Sequence, residues 1–189
     1  MSKLLFFFLF SFILLAQDYP YEVSASYPFG RLNPAGPPQL QDFGHLTGEY
    51  RCKSTSRKSQ QEWNETQEII WRWKYIMNGL GIQDETLKPD GSHSGSIRVS
   101  DTDSLTWRVH YYTNSTTLPV LSAWTGGLQD NGDIVLTRNQ VSPNDLEGFY
   151  RITFSAIREE GFEWLGEWVH KEETFVYPTW RISCLRSEE

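Results

Sequence analysis

At 189 residues, with 39% hydrophobic and 22% charged side chains, the chain has the size and make-up of one globular domain with short extensions, and disorder over most of its length is excluded. A formal net charge of −7 leaves no basic face to displace counterions from nucleic-acid phosphates or to attract an anionic membrane surface. Aromatic residues make up 15% (eight Trp, nine Tyr, eleven Phe), and rings of that size let even a small domain build a sizeable core.

The N-terminus has the layout of a secretory signal. Lys3 precedes Leu4 to Leu15, an apolar run interrupted only by Ser11, and Ala16 follows. A run of about a dozen apolar residues is too short to span a bilayer as a helix, which takes roughly 20. Cleavage after Ala16 would leave Gln17 first, and no cysteine stands there to carry a lipid. The expected location is therefore secreted or periplasmic, with residues 1–16 as signal peptide and no membrane insertion afterwards; an uncleaved anchor is the alternative. Residues 17–40 then read as an extended arm. Tyr19-Pro20, Tyr27-Pro28, Asn33-Pro34 and Pro37-Pro38 keep it out of helix and ladder, and Tyr19, Tyr21, Tyr27 and Phe29 suit a strap laid over the domain.

Residues 41–189 form the domain, and their periodicity is two. Trp71, Trp73 and Tyr75 alternate with Arg72, Lys74 and Ile76. Trp107, Val109 and Tyr111 alternate with Arg108, His110 and Tyr112. Phe162, Trp164, Gly166 and Trp168 share parity, with Glu163 and Glu167 opposite. This alternation puts rings on one sheet face and charges on the other. The only helix candidate, Glu62 to Ile70, is short and runs straight into a strand. Turn signals recur at Asn78-Gly79, Pro89-Asp90-Gly91, Asp101 to Ser104, Gly126-Gly127 and Asp130-Asn131-Gly132-Asp133, then at Ser142 to Asp145, Glu159-Glu160-Gly161 and Lys171 to Glu173. They delimit about ten antiparallel strands with no crossover long enough for a helix, which predicts an all-β barrel or sandwich.

Cys52 falls in the first predicted strand, Gly48 to Ser56, and Cys184 in the last, Thr179 to Arg186. An even pair in an oxidising compartment predicts a disulfide, and bridging needs Cα atoms within about 7 Å. That places the first and last strands side by side, as an up-and-down barrel requires.

Thr47-Gly48-Glu49-Tyr50-Arg51-Cys52 resembles the Gly-x-Trp opening of the lipocalin-like (calycin) barrels, with Tyr50 in place of the Trp. Trp180 to Arg186 offers an arginine that could cover this opening aromatic. Tyr27-Pro28-Phe29-Gly30, Gly79 to Asp84, Ile97-Arg98, Trp107 and Phe162-Glu163-Trp164 extend the likeness to exported bacterial proteins of that type with no assigned activity, over roughly residues 27–187. The resemblance implies a barrel around a small, largely apolar cavity and brings no established activity with it.

Signals for chemistry are sparse. His45, His93, His110 and His170 show no close metal-ligand spacing, and no metal or cofactor is expected. His170 shares parity with Trp168 and is a better inward candidate than His110. No nucleophile elbow is present. Most paired carboxylates fall on turns, where Asp caps its own backbone. Glu167, between Trp164 and Trp168, is the one acid/base candidate: pointing inward it would have Arg98 or Arg151 as partners, pointing outward it is surface. Two sequons, Asn64-Glu65-Thr66 and Asn114-Ser115-Thr116, matter only in a eukaryotic secretory route. The leading expectation is a binding module for a small apolar or aromatic molecule, with Trp71, Trp73, Tyr75, Trp107, Tyr111, Trp164 and Trp168 stacking on it. A barrel enzyme using Glu167, Arg98 and Arg151, and a side-chain-filled barrel acting as a structural or interaction protein, are the alternatives.

Overall fold

The computed structural model describes residues 18–115 and 120–188. The expected signal peptide and its cleavage point lie outside the described residues. Ten strands follow one another: β1 (Gly48–Ser56), β2 (Gln67–Ile76), β3 (Gly81–Leu87), β4 (Ser94–Asp101), β5 (Thr106–Thr113), β6 (Ser122–Leu128), β7 (Ile134–Asn139), β8 (Gly148–Ser155), β9 (Gly161–His170) and β10 (Val176–Arg186). Each pairs antiparallel with the next, and β10 returns to pair with β1, so the sheet closes into an up-and-down barrel. The closing seam runs in register from Tyr50 opposite Arg186 to Ser56 opposite Trp180. Cys52 and Cys184 face each other across it, 4.1 Å apart at Cα, and form a disulfide.

The tight β2–β3 turn has positive φ at Met77, Asn78 and Gly79, as its Asn-Gly signal predicts. Gly126-Gly127 is a correction, for it sits inside β6 rather than at a turn. Gly126 has φ of 152°, and a side chain there would run into the carbonyl of Val135 on β7. Its glycine permits close strand approach, and the turn itself falls at residues 129–133. Residues 67–70 extend β2 and form no helix. The last strand starts three residues earlier than its sequence pattern suggests, at Val176, with a register shift between Pro178 and Trp180. The two sequon asparagines are exposed and tie turns together, Asn64 Nδ2 donating to Ser56 Oγ at 3.1 Å and Asn114 Nδ2 to the Gly91 carbonyl at 2.9 Å.

One end of the barrel is plugged. The arm crosses the β2–β3 turn, where Tyr21 N–H donates to Asn78 Oδ1 and the Tyr75 N–H to the Phe29 carbonyl. It then makes two 3-10 turns, Pro38–Gln41 and Gly44–Leu46. These carry Leu40, Phe43 and Leu46 inward until none is exposed to solvent. Phe43 packs against Trp73, Trp107 and Phe154 at centroid distances of 6.0, 4.9 and 5.6 Å. Arg186 finishes the seal, its guanidinium 4.8 Å above the Tyr50 ring and donating to the carbonyls of His45, Thr47 and Glu159. The other end is formed by the β1–β2, β3–β4, β5–β6, β7–β8 and β9–β10 loops, and neither 3-10 turn reaches it.

Breaking the Cys52–Cys184 bridge with a double alanine substitution should lower unfolding free energy by about 2–5 kcal/mol, because the bridge closes a loop of 132 residues in the unfolded chain. Guanidinium titration of oxidised and substituted protein measures this; an unchanged midpoint would mean that the seam needs no covalent support.

Candidate functional site

Alternation along the strands sends one set of side chains into the barrel, and these set stacks in two zones. In the plugged half, Trp73 and Trp107 are fully buried around Phe43, and Tyr75 is nearly as buried, with its hydroxyl beside Gly44. Trp107 Nε1 donates to Asp42 Oδ2 at 3.0 Å, which fixes the plug to the wall. Burial holds the Asp42 carboxyl above the ordinary carboxylate range, and the Trp107 hydrogen bond only partly offsets this.

Between the zones stands a buried ion pair. Asp84 on β3 and Arg98 on β4 are each 3% exposed, and Asp84 Oδ1 accepts from Arg98 Nη1. Asp84 Oδ2 accepts from Trp71 Nε1 at 2.8 Å. The Arg98 guanidinium lies among ring faces, with Cζ 4.3 Å from the Trp73 centroid, 4.9 Å from Phe43 and 5.9 Å from Phe154. Desolvating both charges is costly, and their mutual hydrogen bonding together with the aromatic faces compensates.

Above the pair lies a cavity of about 70 Å³. One wall is aromatic, from Trp71, Tyr111, Trp124, Trp164 and Trp180. Trp164 meets Trp180 edge-on at 5.4 Å, and Trp180 Nε1 is fixed by Ser54 Oγ at 2.8 Å. Opposite, Thr86, Ser94 and Ser96 follow one another on the inner faces of β3 and β4, with Arg98 below them, and Val109, Leu136, Ile152 and Ile182 complete a largely apolar lining. All three residues are buried, and their short side chains border the cavity. The cavity surface is thus largely apolar, with rings on one side and short hydroxyl-bearing residues on the other. Its volume falls well short of the roughly 300–1,000 Å³ of drug-sized ligand sites.

The seven aromatic residues singled out by parity separate accordingly. Trp71, Tyr111 and Trp164 line the cavity. Trp73, Tyr75 and Trp107 fill the plugged half. Trp168 sits at the rim of the open end, donating to the Gln140 carbonyl at 2.9 Å and packing on Phe175. Sequence reasoning missed Trp124 and Trp180 as cavity walls, and it missed the hydroxyl strip. Trp124 is two residues before the glycines misread as a turn, and short hydroxyl side chains give no hydrophobic alternation to follow.

Of the carboxylate and arginine candidates, Glu167 and Arg151 come together, and Arg98 stands apart on Asp84. Glu167 Oε2 accepts from Arg151 Nη2 at 3.0 Å and Nε at 3.2 Å. Glu167 has the opposite parity to the cavity-lining Trp164, so this pair occupies the outer face, where it is well covered but remote from the cavity. His110 is exposed, and His170 shares hydrogen bonds with Thr174 and the Glu172 N–H in the β9–β10 turn. Among the described residues no three His, Cys, Asp or Glu side chains gather as a metal site.

Substitutions at Asp84, Arg98 and Asp42 check this reading of the interior. Asp84→Ala leaves Arg98 buried without its counter-charge and should cost about 3–5 kcal/mol by chemical denaturation, whereas the double change Asp84→Leu with Arg98→Met should recover much of the loss. Asp42→Asn keeps the acceptor for Trp107 and removes a charge that folding disfavours. The raised folded-state pKa of Asp42 means that its stabilising, protonated form is lost as pH rises above the ordinary value of 3.8. The variant should therefore exceed the parent in Tm at pH 7, with the difference disappearing at pH 3.

The chain matches no protein-family model, and no curated protein is similar enough to it to stand as a relative.

Proposed function

We propose that this is an exported small-molecule-binding barrel, calycin-like in architecture, whose ligand enters by the unplugged end and places a ring among Trp71, Trp124, Trp164 and Trp180. The carrying observation is a largely apolar cavity walled by four indoles, with the short side chains of Thr86, Ser94 and Ser96 opposite them. A side-chain-filled core would carry bulkier apolar side chains at Thr86, Ser94 and Ser96, where short ones leave the space open. The covering of Tyr50 by Arg186 and the plug at one end support the calycin likeness, although ten strands exceed the eight of lipocalins. Export is consistent with the disulfide and with the signal-like start of the chain. At about 70 Å³ the site suits one small ring at most, with a larger body protruding through the open end.

The filled-barrel alternative draws on that same small volume: in it the cavity holds only water and the protein acts through its surface. Titrating ¹⁵N-labelled protein with phenol separates the two. Saturable shifts of the Trp71, Trp124, Trp164 and Trp180 indole N–H resonances, with Trp107 unmoved and the response lost in Ser96→Met, are expected for a ligand site. Shifts that do not saturate, or that spread evenly over all eight indoles, would favour the filled barrel.

A further inference from the structure

Resting on the binding reading above, we infer that the ligand is an anion, an aromatic or compact apolar carboxylate whose charged group is held at the barrel mouth by Arg138. Three observations converge on this residue. Arg138 lies on the inner face of β7, one inward position beyond the cavity-lining Leu136, so it stands about 7 Å further toward the open end. Its cross-strand neighbour Tyr150 stands likewise beyond the cavity-lining Ile152. The guanidinium is stacked on the ring of Trp124, 4.4 Å from its centroid, and Trp124 itself lines the cavity.

Arg138 is also without a counter-charge. Arg98 on the cavity floor has Asp84, and Arg151 on the outer face has Glu167 and Glu173, whereas Arg186 at the plugged end is held by three backbone carbonyls. Arg138 has only the side-chain carbonyl of Gln140, at 2.7 Å from Nη2, and among the described residues no carboxylate lies within ion-pair distance of it. Its Nε is buried with no acceptor.

The interior as a whole repeats the imbalance. Four buried N–H donors on inward-facing residues lack acceptors: Trp73 Nε1, Arg98 Nε, Trp124 Nε1 and Arg138 Nε. Against them stand one unpartnered buried hydroxyl on the barrel wall, Ser100, and one unpartnered amide carbonyl in the plug, Gln39 Oε1. Buried polar groups are nearly always hydrogen-bonded, and the orphaned Nε1 of Trp124 and Nε of Arg138, with an uncompensated cation at the mouth, are resolved by an occupant that is rich in acceptors and negatively charged. A carboxylate meets the guanidinium fork in two parallel hydrogen bonds, and its ring then reaches down the indole wall toward Ser96.

Benzoate and benzamide, nearly equal in size and differing in charge, test this by the same indole resonances. The parent protein should bind benzoate at least tenfold more tightly than benzamide. Arg138→Gln should abolish the preference by weakening benzoate at least tenfold more than benzamide, and Arg138→Lys should retain part of it. Equal binding of the two probes would overturn the anion inference and leave the binding reading standing. A preference for benzoate that survives Arg138→Gln would overturn the assignment to Arg138. Absence of saturable binding by either probe would overturn the binding reading and the inference together. Thermal denaturation of each variant confirms that it is folded, since Arg138 makes no ion pair whose loss would unfold the barrel.

Discussion

Everything in this molecule depends on the antiparallel pairing of β1 with β10. An open ten-strand sheet would present two edges of unsatisfied N–H and C=O groups and would leave its ring-bearing face to water. Closing the seam satisfies both edges and turns that face into an interior. The Cys52–Cys184 bridge stands in the middle of the seam, at a directly facing pair, so the covalent link reinforces the contact of longest sequence separation and greatest loop-closure entropy. Plug, ion pair and cavity all presuppose this closure.

Once closed, the barrel treats its two ends differently. The arm brings Leu40, Phe43 and Leu46 into one end, and Arg186 seals the gap by donating to three carbonyls and covering Tyr50. Among the described residues no equivalent plug reaches the other end, where short hydroxyl-bearing side chains line one side of the interior. The Asp84–Arg98 pair marks the boundary. It neutralises the charge needed to line the cavity floor and leaves the indole wall above free to face Thr86, Ser94 and Ser96. Tyr112 supports the pair from the outer face, its hydroxyl held by Gln83 at 2.6 Å across Gly95.

Much of the architecture was legible because period-two alternation is strong where aromatic residues carry it. Trp71-Arg72-Trp73-Lys74-Tyr75 and Trp107 to Tyr112 declare their inner faces without help. The pairing of Cys52 with Cys184 followed from their places in the first and last strands. Less could be read where the signal is weak. Gly126-Gly127 has the composition of a turn, and only the approach of the Val135 carbonyl shows why glycine is needed inside a strand. Ser94 and Ser96 alternate with Gly95 and Ile97, a pattern in which the polar residues face inward and the apolar Ile97 is partly exposed, the reverse of the usual rule. Glu167 lies in the most aromatic strand of the chain, yet its parity takes it outward to Arg151 and away from Arg98.

By itself the sequence determined the all-β class, the number of strands to within the count of its turns, the closing disulfide and the inner faces of the aromatic strands, because these follow from local alternation and from which residues tolerate a turn. Depth along the barrel axis was decided only by the tertiary structure. Trp73 and Trp71 have the same parity and are two residues apart, yet one packs on the plug and the other lines the cavity, and no local pattern encodes that difference. Register across ten strands sets it, and register also brings Asp84 to Arg98 and leaves Arg138 alone above Leu136. Such placements arise from contacts between distant segments, for which the chain carries no periodic signal.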